Sequence, residues 1–245
     1  MDADRQAPVP SAAISRPVGI VVAVEAERAI LRKVMRSWAG LVPSVTVSGM
    51  GQAAAEGAAE GLAAGGVCGL MSFGYAGAIR SGLRRGTIII ADQVQTEDGE
   101  LFSSDADWRG ELERSLASRA GVTVGSFLSL GQVADSPAEK RRLATRFNAL
   151  AVDMESAAVA RVAARHGLPF IALRAIVDEA HHWVPSAAAA AVDRHGRSRP
   201  WRVALPLLRQ PAQIGALMTL ARGAGAADRS LADACRLAGP GFGLL

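Results

Sequence analysis

The chain has 245 residues, of which 50% are hydrophobic, 20% are charged and 4% are aromatic, and its net charge is +4. This length and composition predict one sizeable α/β domain whose core is built from small aliphatic side chains. The basic residues, mostly arginine, are scattered along the chain and are not clustered with aromatic residues, which argues against nucleic acid as a partner.

The first residues do not have the pattern of an export signal. Residues 1–16 contain acids and prolines where a signal peptide has a basic start and an apolar run, so we expect a flexible leader and then a single domain over 17–245. No stretch reaches the ~18 uninterrupted apolar residues of a membrane-spanning helix. Cys68 and Cys235 have no cysteine near them in sequence, which fits a reducing compartment. We therefore expect a cytoplasmic protein, with contact to the inner face of the cytoplasmic membrane left open.

From residue 18 onward, apolar runs of strand length alternate with alanine-rich helical stretches. The predicted elements are, in order, the strand VGIVVAV, a helix from about Glu27 to Trp38, the strand VTVSG, the helix QAAAEGAAEGLAAG, the strands GLMSFG, GTIIIADQV and GVTVGSFLSL, the helix PAEKRRLATRF, the strand ALAVDM, a helix ending near Gly167 and the strand PFIALRAIVD. This alternation is typical of parallel strands joined by crossover helices. Beyond Asp178 we predict a loop with prolines and histidines, then a helical extension from about residue 181 with two helices and the alanine run 187–191 in helix.

Polar residues follow several predicted strands at their carboxyl ends, where ligands collect in open α/β sheets. These residues are Glu25 and Glu27 after the first strand, 49–51 after the second, 72–77 after the third, Asp153 and Glu155 after the strand ALAVDM, and Asp178 after the last. They lie far apart in sequence but can converge in space. Each acid also has a simpler explanation, because a carboxylate in the first turn of a helix favours the helix dipole and Asp178 can cap a helix.

The segment VSGMGQAA has the glycine spacing of a dinucleotide-binding turn, with Gly49, Gly51 and Ala54 after a strand. Such a site needs a ribose-binding acid about twenty residues later, at the end of the next strand. That strand, GLMSFGYAG, contains no acid. We therefore predict no nicotinamide cofactor, and we expect the glycines to allow a smaller ligand to approach the backbone.

The chain contains, in this order, the segments AVEAERAIL, SFGYAGAI, VDMESAAVA and LRAIVD. Over about residues 18–180 their order and spacing resemble the purine nucleoside phosphorylase and methylthioadenosine/S-adenosylhomocysteine nucleosidase superfamily. The resemblance implies a three-layer α/β/α nucleoside phosphorylase-like fold with a central mixed, largely parallel twisted sheet, and a homo-oligomer. The C-terminal segments HHWVP and LLRQPAQIGALMTLA are similar to the hopanoid-associated phosphorylase branch, whose proposed substrate is adenosylhopane.

Cleavage of a purine N-ribosidic bond, the chemistry of this superfamily, explains the two acids around Met154. The reaction passes through a ribosyl cation-like state, so the site must stabilise positive charge on the sugar and neutralise negative charge on the leaving base. The resemblance implies that Glu155 accepts hydrogen bonds from the ribose hydroxyls and that Met154 packs against the sugar. Asp153 matches the acidic position before the methionine, and we expect it in the binding site without a chemical step.

Asp178 matches the superfamily residue that delivers a proton toward purine N7. To do so at neutral pH its carboxyl must keep a proton part of the time, which requires burial or a neighbouring acid. The apolar strand before Asp178 favours such burial. Arg174, four residues earlier on that strand, is expected to be structural and to hold the loop by ion pairing.

Glu27 bears on whether water or phosphate attacks the sugar. The nucleosidases have a Glu at this position that orients and deprotonates water, whereas the phosphorylases generally have cationic groups that hold phosphate. The turn SFGYAG offers Ser72, Tyr75 and the backbone N–H groups around Phe73 and Gly74 but no arginine, and a carboxylate repels a phosphate dianion. We therefore predict hydrolysis without a cofactor, phosphate being a co-substrate only if the reaction is phosphorolytic.

Two departures from the superfamily pattern concern the base and the mouth of the site. Where the nucleosidases have an aromatic residue that stacks on the purine, this chain has Val133 and Ala134, so stacking comes from Phe73 or Tyr75 or is weaker. The segment HHW at 181–183 is expected to line a wider, more apolar mouth. A histidine pair without a third ligand predicts no metal site.

The expected reaction converts an adenosine-type nucleoside, lipid-linked in the case of adenosylhopane, to adenine and the free sugar compound, ribosylhopane in that case. The segment 201–223 has apolar residues flanked by arginines, and this pattern fits a helix lying on a membrane surface and ordinary core or subunit packing equally well. Two other function classes stay open. One is a phosphorylase that yields a ribose 1-phosphate product, and the other is a nucleoside-binding protein without catalysis, which would not need both Glu27 and Asp178.

Overall fold

The computed structural model describes residues 16–185 and 213–244, which form eight strands and six helices. The strands are β1 (Gly19–Val22), β2 (Ser44–Val47), β3 (Leu70–Ala78), β4 (Ile88–Thr96), β5 (Leu101–Ser103), β6 (Val122–Ser129), β7 (Ala151–Asp153) and β8 (Phe170–Asp178). The helices are α1 (Glu25–Met35), α2 (Gln52–Ala64), α3 (Ala106–Leu116), α4 (Pro137–Arg146), α5 (Ser156–His166) and α6 (Gln213–Ala238).

All eight strands belong to one mixed sheet with the order β2-β1-β3-β7-β6-β4-β5, and β8 pairs with both β3 and β4. The pairs β1–β2, β1–β3, β3–β8, β4–β6 and β6–β7 are parallel. The pairs β3–β7, β4–β5 and β4–β8 are antiparallel. The predicted mixed, largely parallel sheet is therefore confirmed, and β8 closes a ring of five strands by bridging β3 and β4.

Helices cover both faces of the sheet and complete the predicted three layers. Side chains alternate along each strand, so neighbouring residues of β8, such as Ile171 and Ala172, enter different cores. One core packs against α2 and α5 and is rich in alanine, which lets those helices approach the sheet closely. The other packs against α1, α3 and α6 and contains most of the buried aromatic residues.

The elements β5 and α3 were not predicted from the sequence. The helix α3 has three large apolar residues on its buried side, Trp108, Leu112 and Leu116, and its other eight residues are charged or small. Its start is fixed by Asp105, whose carboxylate accepts a hydrogen bond from the Trp108 backbone N–H at 2.8 Å. The helix therefore depends on a cap and a narrow apolar stripe that the charged residues obscure.

Several predictions fall on residues outside the described ranges. These are the leader, apart from Arg16, the alanine run 187–191, and the first part of the segment 201–223. Of the two predicted C-terminal helices, α6 lies in the described part. Among the described residues no helix is long and apolar enough to cross a membrane.

Candidate active site

A cavity of about 420 Å³ opens at the carboxyl ends of β1, β3, β7 and β8. The predicted site residues that line it are Glu27, Tyr75, Val133, Ala134, Asp153, Met154, Glu155 and Asp178. The three acids on which the predicted chemistry depends, at 27, 155 and 178, thus share one cavity although they come from three different elements. Gly51, Ser72 and Gly74 lie behind its wall and contact residues that line it.

Glu27 lies in the first turn of α1 and is held by three backbone N–H groups. Its Oε2 accepts hydrogen bonds from Ala23 at 2.8 Å and Val24 at 3.0 Å, and its Oε1 accepts one from Tyr75 at 2.9 Å. A Cβ on Gly74 would lie 2.0 Å from Oε1, so only glycine leaves room for this carboxylate. Glu27 therefore lies at the positive end of the α1 dipole, as the simpler explanation proposed, and it also joins α1 to β3 at the cavity.

Burial raises the pKa of Glu27 to about 7. Two charged neighbours modify this effect in opposite directions, since Arg174 lowers the pKa and Glu155 raises it. A carboxyl group with a pKa near neutrality can both accept and release a proton during a reaction cycle.

Glu155 lies directly before α5 and connects two distant parts of the chain. Its Oε1 accepts a hydrogen bond from the backbone N–H of Gly51 at 3.0 Å, and its Oε2 lies 3.4 Å from Nη2 of Arg174. Burial raises the pKa of Glu155, while Arg174 opposes the increase. We predicted that Gly51 lets a ligand approach the backbone. In the structure the backbone N–H of Gly51 contacts the Glu155 carboxylate, and its contact with a ligand stays a prediction.

Arg174 is a buried cation among the acids of the cavity. Its guanidinium lies 2.9 Å from Asp153 and 3.4 Å from Glu155, and it donates a hydrogen bond to Ser72 Oγ at 2.7 Å. We expected Arg174 to hold a loop, but it lines the cavity and pairs with two acids of the motif. Asp153 also accepts a hydrogen bond from the Ser156 hydroxyl, so its oxygens are used within the protein.

Lys140 contacts a predicted site residue, Asp178, and was not itself predicted from the sequence. It is fully buried on α4, and its ammonium donates to the Asp178 carboxylate, to the Glu179 carbonyl at 3.1 Å and to the His182 carbonyl at 3.0 Å. Burial raises the pKa of Asp178, whereas Lys140 lowers it. A signal was present, because Lys140 and Leu143 lie on the same buried side of a helix that is otherwise strongly polar.

The aromatic residues of β3 have different positions relative to the cavity. Tyr75 lines it, and its hydroxyl donates a hydrogen bond to Asp228 of α6, which also lines it. Phe73 is fully buried and does not line the cavity, so Tyr75 is the better placed of the two residues predicted to stack on the base. Residues 73 and 75 face the same side of the strand, but Phe73 lies deeper and packs edge-on against Phe242, with ring centroids 6.2 Å apart.

The turn after Asp178 contains a group that the sequence analysis did not recognise. Ligand atoms of Glu179, His181 and His182 lie within 4.8 Å of one another, so a third potential metal ligand does accompany the histidine pair. Glu179 also lies 3.5 Å from Arg85, and His182 Nδ1 accepts the Glu179 backbone N–H at 3.2 Å. The Glu179 carboxylate and His182 Nδ1 thus already have partners within the protein, so we assign no metal to this group. The absence of a metal stays a prediction. Trp183 is 63% exposed, while the following Val184 lines the cavity.

Comparison with known proteins gives one family match and many structural matches. A family model described as the phosphorylase superfamily matches residues 18–208. Among curated proteins, none matches the chain by sequence.

Solved structures with the same fold include three enzymes of related name. The S-adenosylhomocysteine nucleosidase of Streptococcus pyogenes, in complex with 5-methylthiotubericidin, has 20% identity and a TM-score of 0.70 over 93% of this chain and 97% of that chain. The 5′-methylthioadenosine/S-adenosylhomocysteine nucleosidase of Helicobacter pylori, with butyl-thio-DADMe-Immucillin-A, has 18% identity and a TM-score of 0.66 over 91% and 98%. The futalosine hydrolase of Helicobacter pylori has 18% identity and a TM-score of 0.65 over 89% and 97%. At these identities the likeness establishes the fold.

Proposed function

The chain belongs to the phosphorylase superfamily, and from this premise we propose that it hydrolyses the N-ribosidic bond of an adenosine-type purine nucleoside. The observation that carries this proposal is the convergence of Glu27, Glu155 and Asp178 on one cavity. A protein that only binds nucleosides has no need for a buried acid at both ends of its ligand. The convergence therefore favours an enzyme over a binding protein.

The sugar end of the cavity suits a ribosyl cation. Three buried carboxylates, those of Glu27, Asp153 and Glu155, surround the single guanidinium of Arg174. When all are ionised, this group has a net negative charge next to the position of the sugar. This negative charge interacts more strongly with the sugar as positive charge develops on it. The transition state is therefore stabilised more than the bound substrate, which lowers the barrier.

Water is the attacking group in this proposal because Glu27 occupies the backbone N–H groups that an anion would need. The N–H groups of Ala23, Val24 and Tyr75 all donate to the Glu27 carboxylate. A phosphate dianion entering here would lose those donors and meet a like charge in a buried position. The pKa of Glu27, raised by burial to about 7, is suited to removing a proton from water.

Asp178 acts at the other end of the cavity by passing a proton to the departing purine. The leaving base is a poor anion, so protonation at N7 allows it to leave as a neutral molecule. Gly77 brings the backbone of β3 close to this group, with an ideal Cβ 3.2 Å from both carboxylate oxygens. The carboxylate is therefore held between two strands and faces the cavity.

The finer part of the proposal is the substrate, adenosylhopane, which is cleaved to ribosylhopane and adenine. It rests on the sequence resemblance and on the apolar residues of the cavity wall, which include Val133, Val184, Leu220 and Ala224. A cavity of about 420 Å³ holds a nucleoside, so a triterpenoid tail must extend through the mouth. Contact with an anionic membrane surface and assembly into a homo-oligomer stay predictions from the sequence.

The test is to incubate the protein with adenosylhopane and, separately, with 5′-methylthioadenosine, each with and without phosphate, and to identify the sugar product. We expect adenine release that does not depend on phosphate, with a free sugar hydroxyl at C1′ and a higher kcat/KM for adenosylhopane. A requirement for phosphate together with a ribose 1-phosphate product would show a phosphorylase. Binding without adenine release would contradict catalysis.

A further inference from the structure

Lys140 is the one fully buried lysine of a chain that otherwise uses arginine. The chain has 27 basic residues, of which only Lys33 and Lys140 are lysines. Lys33 is exposed on α1, whereas Lys140 has no exposed surface and contacts Asp178, which lines the cavity at the proposed base end. The two basic side chains buried near the cavity therefore differ in type, with Arg174 at the sugar end and Lys140 at the base end.

The ammonium of Lys140 has an acceptor for each of its three protons. These are the Asp178 carboxylate and the backbone carbonyls of Glu179 and His182. The three acceptors belong to the end of β8 and the turn that follows it, so Lys140 ties α4 to the segment that carries Asp178. The ammonium lies against the Asp178 carboxylate and opposes the increase in the pKa of Asp178 that burial causes.

This arrangement conflicts with Asp178 acting alone as the acid. A carboxyl group in direct contact with a buried ammonium shares a proton with that ammonium, so the two groups do not titrate independently. The Lys140–Asp178 pair as a whole, however, contains one proton that can move, whichever of the two atoms holds it. The acid of the site is then the pair and not the carboxyl group.

Resting on the proposed function above, we propose that Lys140 positions Asp178 and supplies the proton that Asp178 passes to the departing purine. The Nζ–H bond of Lys140 breaks and its electron pair stays on nitrogen, while the proton moves to Asp178. The proton of Asp178 moves to the base as the electron pair of the ribosidic bond moves onto the base. Water bonds to C1′ and its proton moves to Glu27. The charge of the site is unchanged, and after product release Glu27 loses its proton and Lys140 regains one through solvent.

The choice of lysine over arginine fits this role. A lysine ammonium can lose a proton in the course of a reaction, whereas an arginine guanidinium stays charged. At the sugar end, where a permanent counter-charge to the acids is needed, the chain has Arg174. At the base end, where a proton must be released, it has Lys140.

Other charged groups face the pair from the surrounding elements. They are Glu179 and His182 of the turn, Arg85 of the β3–β4 connection, Asp228 of α6, and Arg174, Glu27 and Glu155 across the cavity. Glu179 pairs with Arg85 at 3.5 Å. In the described part of the chain, Asp178 is the one carboxylate that pairs with Lys140. The proton of the pair is therefore linked to Asp178 more directly than to any of these groups.

The test compares wild type, Lys140→Met and Lys140→Arg, with Lys33→Met as the matched control. Steady-state kcat and KM are measured for 5′-methylthioadenosine from about pH 6 to about pH 10, the range that reaches the usual titration of lysine. The same variants are assayed with 4-nitrophenyl riboside, whose leaving group departs without a proton. Thermal unfolding of each variant checks that it is folded.

We expect wild type to keep its kcat to above about pH 9, because the pair retains its proton over that range. In Lys140→Met the proton must reside on Asp178 alone, so kcat falls about 10²-fold at pH ~9 and much less near pH ~6. Lys140→Arg, which keeps the charge without a releasable proton, loses about 10²-fold at every pH. KM changes less than about threefold, Lys33→Met behaves as wild type, and 4-nitrophenyl riboside is cleaved by all variants within about threefold of wild type.

Three results would overturn the inference. A wild-type pH profile in Lys140→Met would show that Asp178 suffices, and full activity in Lys140→Arg would show that only the charge matters. Equal losses on both substrates would indicate a purely structural role for Lys140. If Lys140→Met does not fold, Lys140→Arg decides the matter. Each of these results contradicts the role of Lys140 while wild type still releases purine. If wild type itself releases no purine, the proposed function is contradicted instead.

Discussion

The acids at the two ends of the cavity are all buried, but the charges around them are balanced differently. At the end where we propose that the sugar binds, three carboxylates lie near one cation among the described residues, Arg174. At the base end, the carboxylate of Asp178 has a cation of its own, Lys140. The first group has an excess of negative charge when it is ionised, and the second is neutral.

This difference shows that burial alone does not decide the protonation of an acid. Burial raises the pKa of Glu27, of Glu155 and of Asp178 alike. At the sugar end Arg174 opposes the increase for Glu27, Glu155 adds to it, and the pKa of Glu27 reaches about 7. At the base end Lys140 opposes the increase for Asp178. In the proposed reaction, one end therefore provides a base and negative charge, and the other provides a proton.

The largest expected effect comes from removing the base at the sugar end by Glu27→Gln. We expect kcat to fall by about 10²- to 10⁴-fold, because the amide cannot take a proton from water. The matched control is Glu25→Gln in the same first turn, where the side chain is partly exposed and pairs with Arg28. The measurement is the rate of adenine release at pH ~8, well above the pKa of Glu27.

The pH profile extends this prediction. A base must be deprotonated to act, and the pKa of Glu27 is raised by burial to about 7, so wild-type kcat/KM should decrease about tenfold per pH unit below about pH 7. This decrease below about pH 7 should be absent from the residual activity of Glu27→Gln. If Glu27→Gln still shows the decrease at low pH, another group causes it, and the role of Glu27 as the base is contradicted.

The next effect in size is on stability, through Arg174→Met. Removing this cation leaves Asp153 and Glu155 buried without their ion-pair partner. Breaking a buried ion pair in this way costs about 3–5 kcal/mol of unfolding free energy. Urea denaturation measures the loss, with Arg165→Met as the control, since Arg165 pairs with Glu56 and Glu60 at the surface. A loss below about 1 kcal/mol, the usual range for exposed pairs, would contradict the central position of Arg174.

The smallest effect compares the two ends directly through Gly74→Ala and Gly77→Ala on β3. An added Cβ would lie 2.0 Å from Glu27 Oε1 in the first variant and 3.2 Å from the Asp178 oxygens in the second. We expect Gly74→Ala to lose about 1–3 kcal/mol of unfolding free energy and most of its activity, because Glu27 must move. Gly77→Ala should lose less than about 1 kcal/mol. Equal effects in denaturation and turnover would show that the Glu27 contact is not as tight as described.

Much of the fold and of the site could be predicted from local patterns. Alternating strands and helices predicted an α/β sheet, and several of the polar residues at the predicted strand ends, such as Glu27, Asp153 and Asp178, line the cavity. Prediction was less successful where the hydrophobic pattern was weak, as in α3. It was also less successful where two residues of one strand face lie at different distances from the cavity. Phe73 and Tyr75 belong to one strand face, and only Tyr75 lies far enough along it to reach the cavity.

The sequence by itself determined the acids, since the type and order of Glu27, Glu155 and Asp178 are visible in their motifs. Only the tertiary structure decided which cation each acid meets. Lys140, the cation that contacts Asp178, precedes it by 38 residues. Gly51, whose backbone N–H donates to Glu155, precedes that acid by 104 residues. No local sequence pattern relates partners so far apart. The charge state of a buried acid depends on distances to its neighbours, because Coulomb interactions are strong only at short range in a protein interior. Those distances exist only once the sheet has closed and the strand ends have come together.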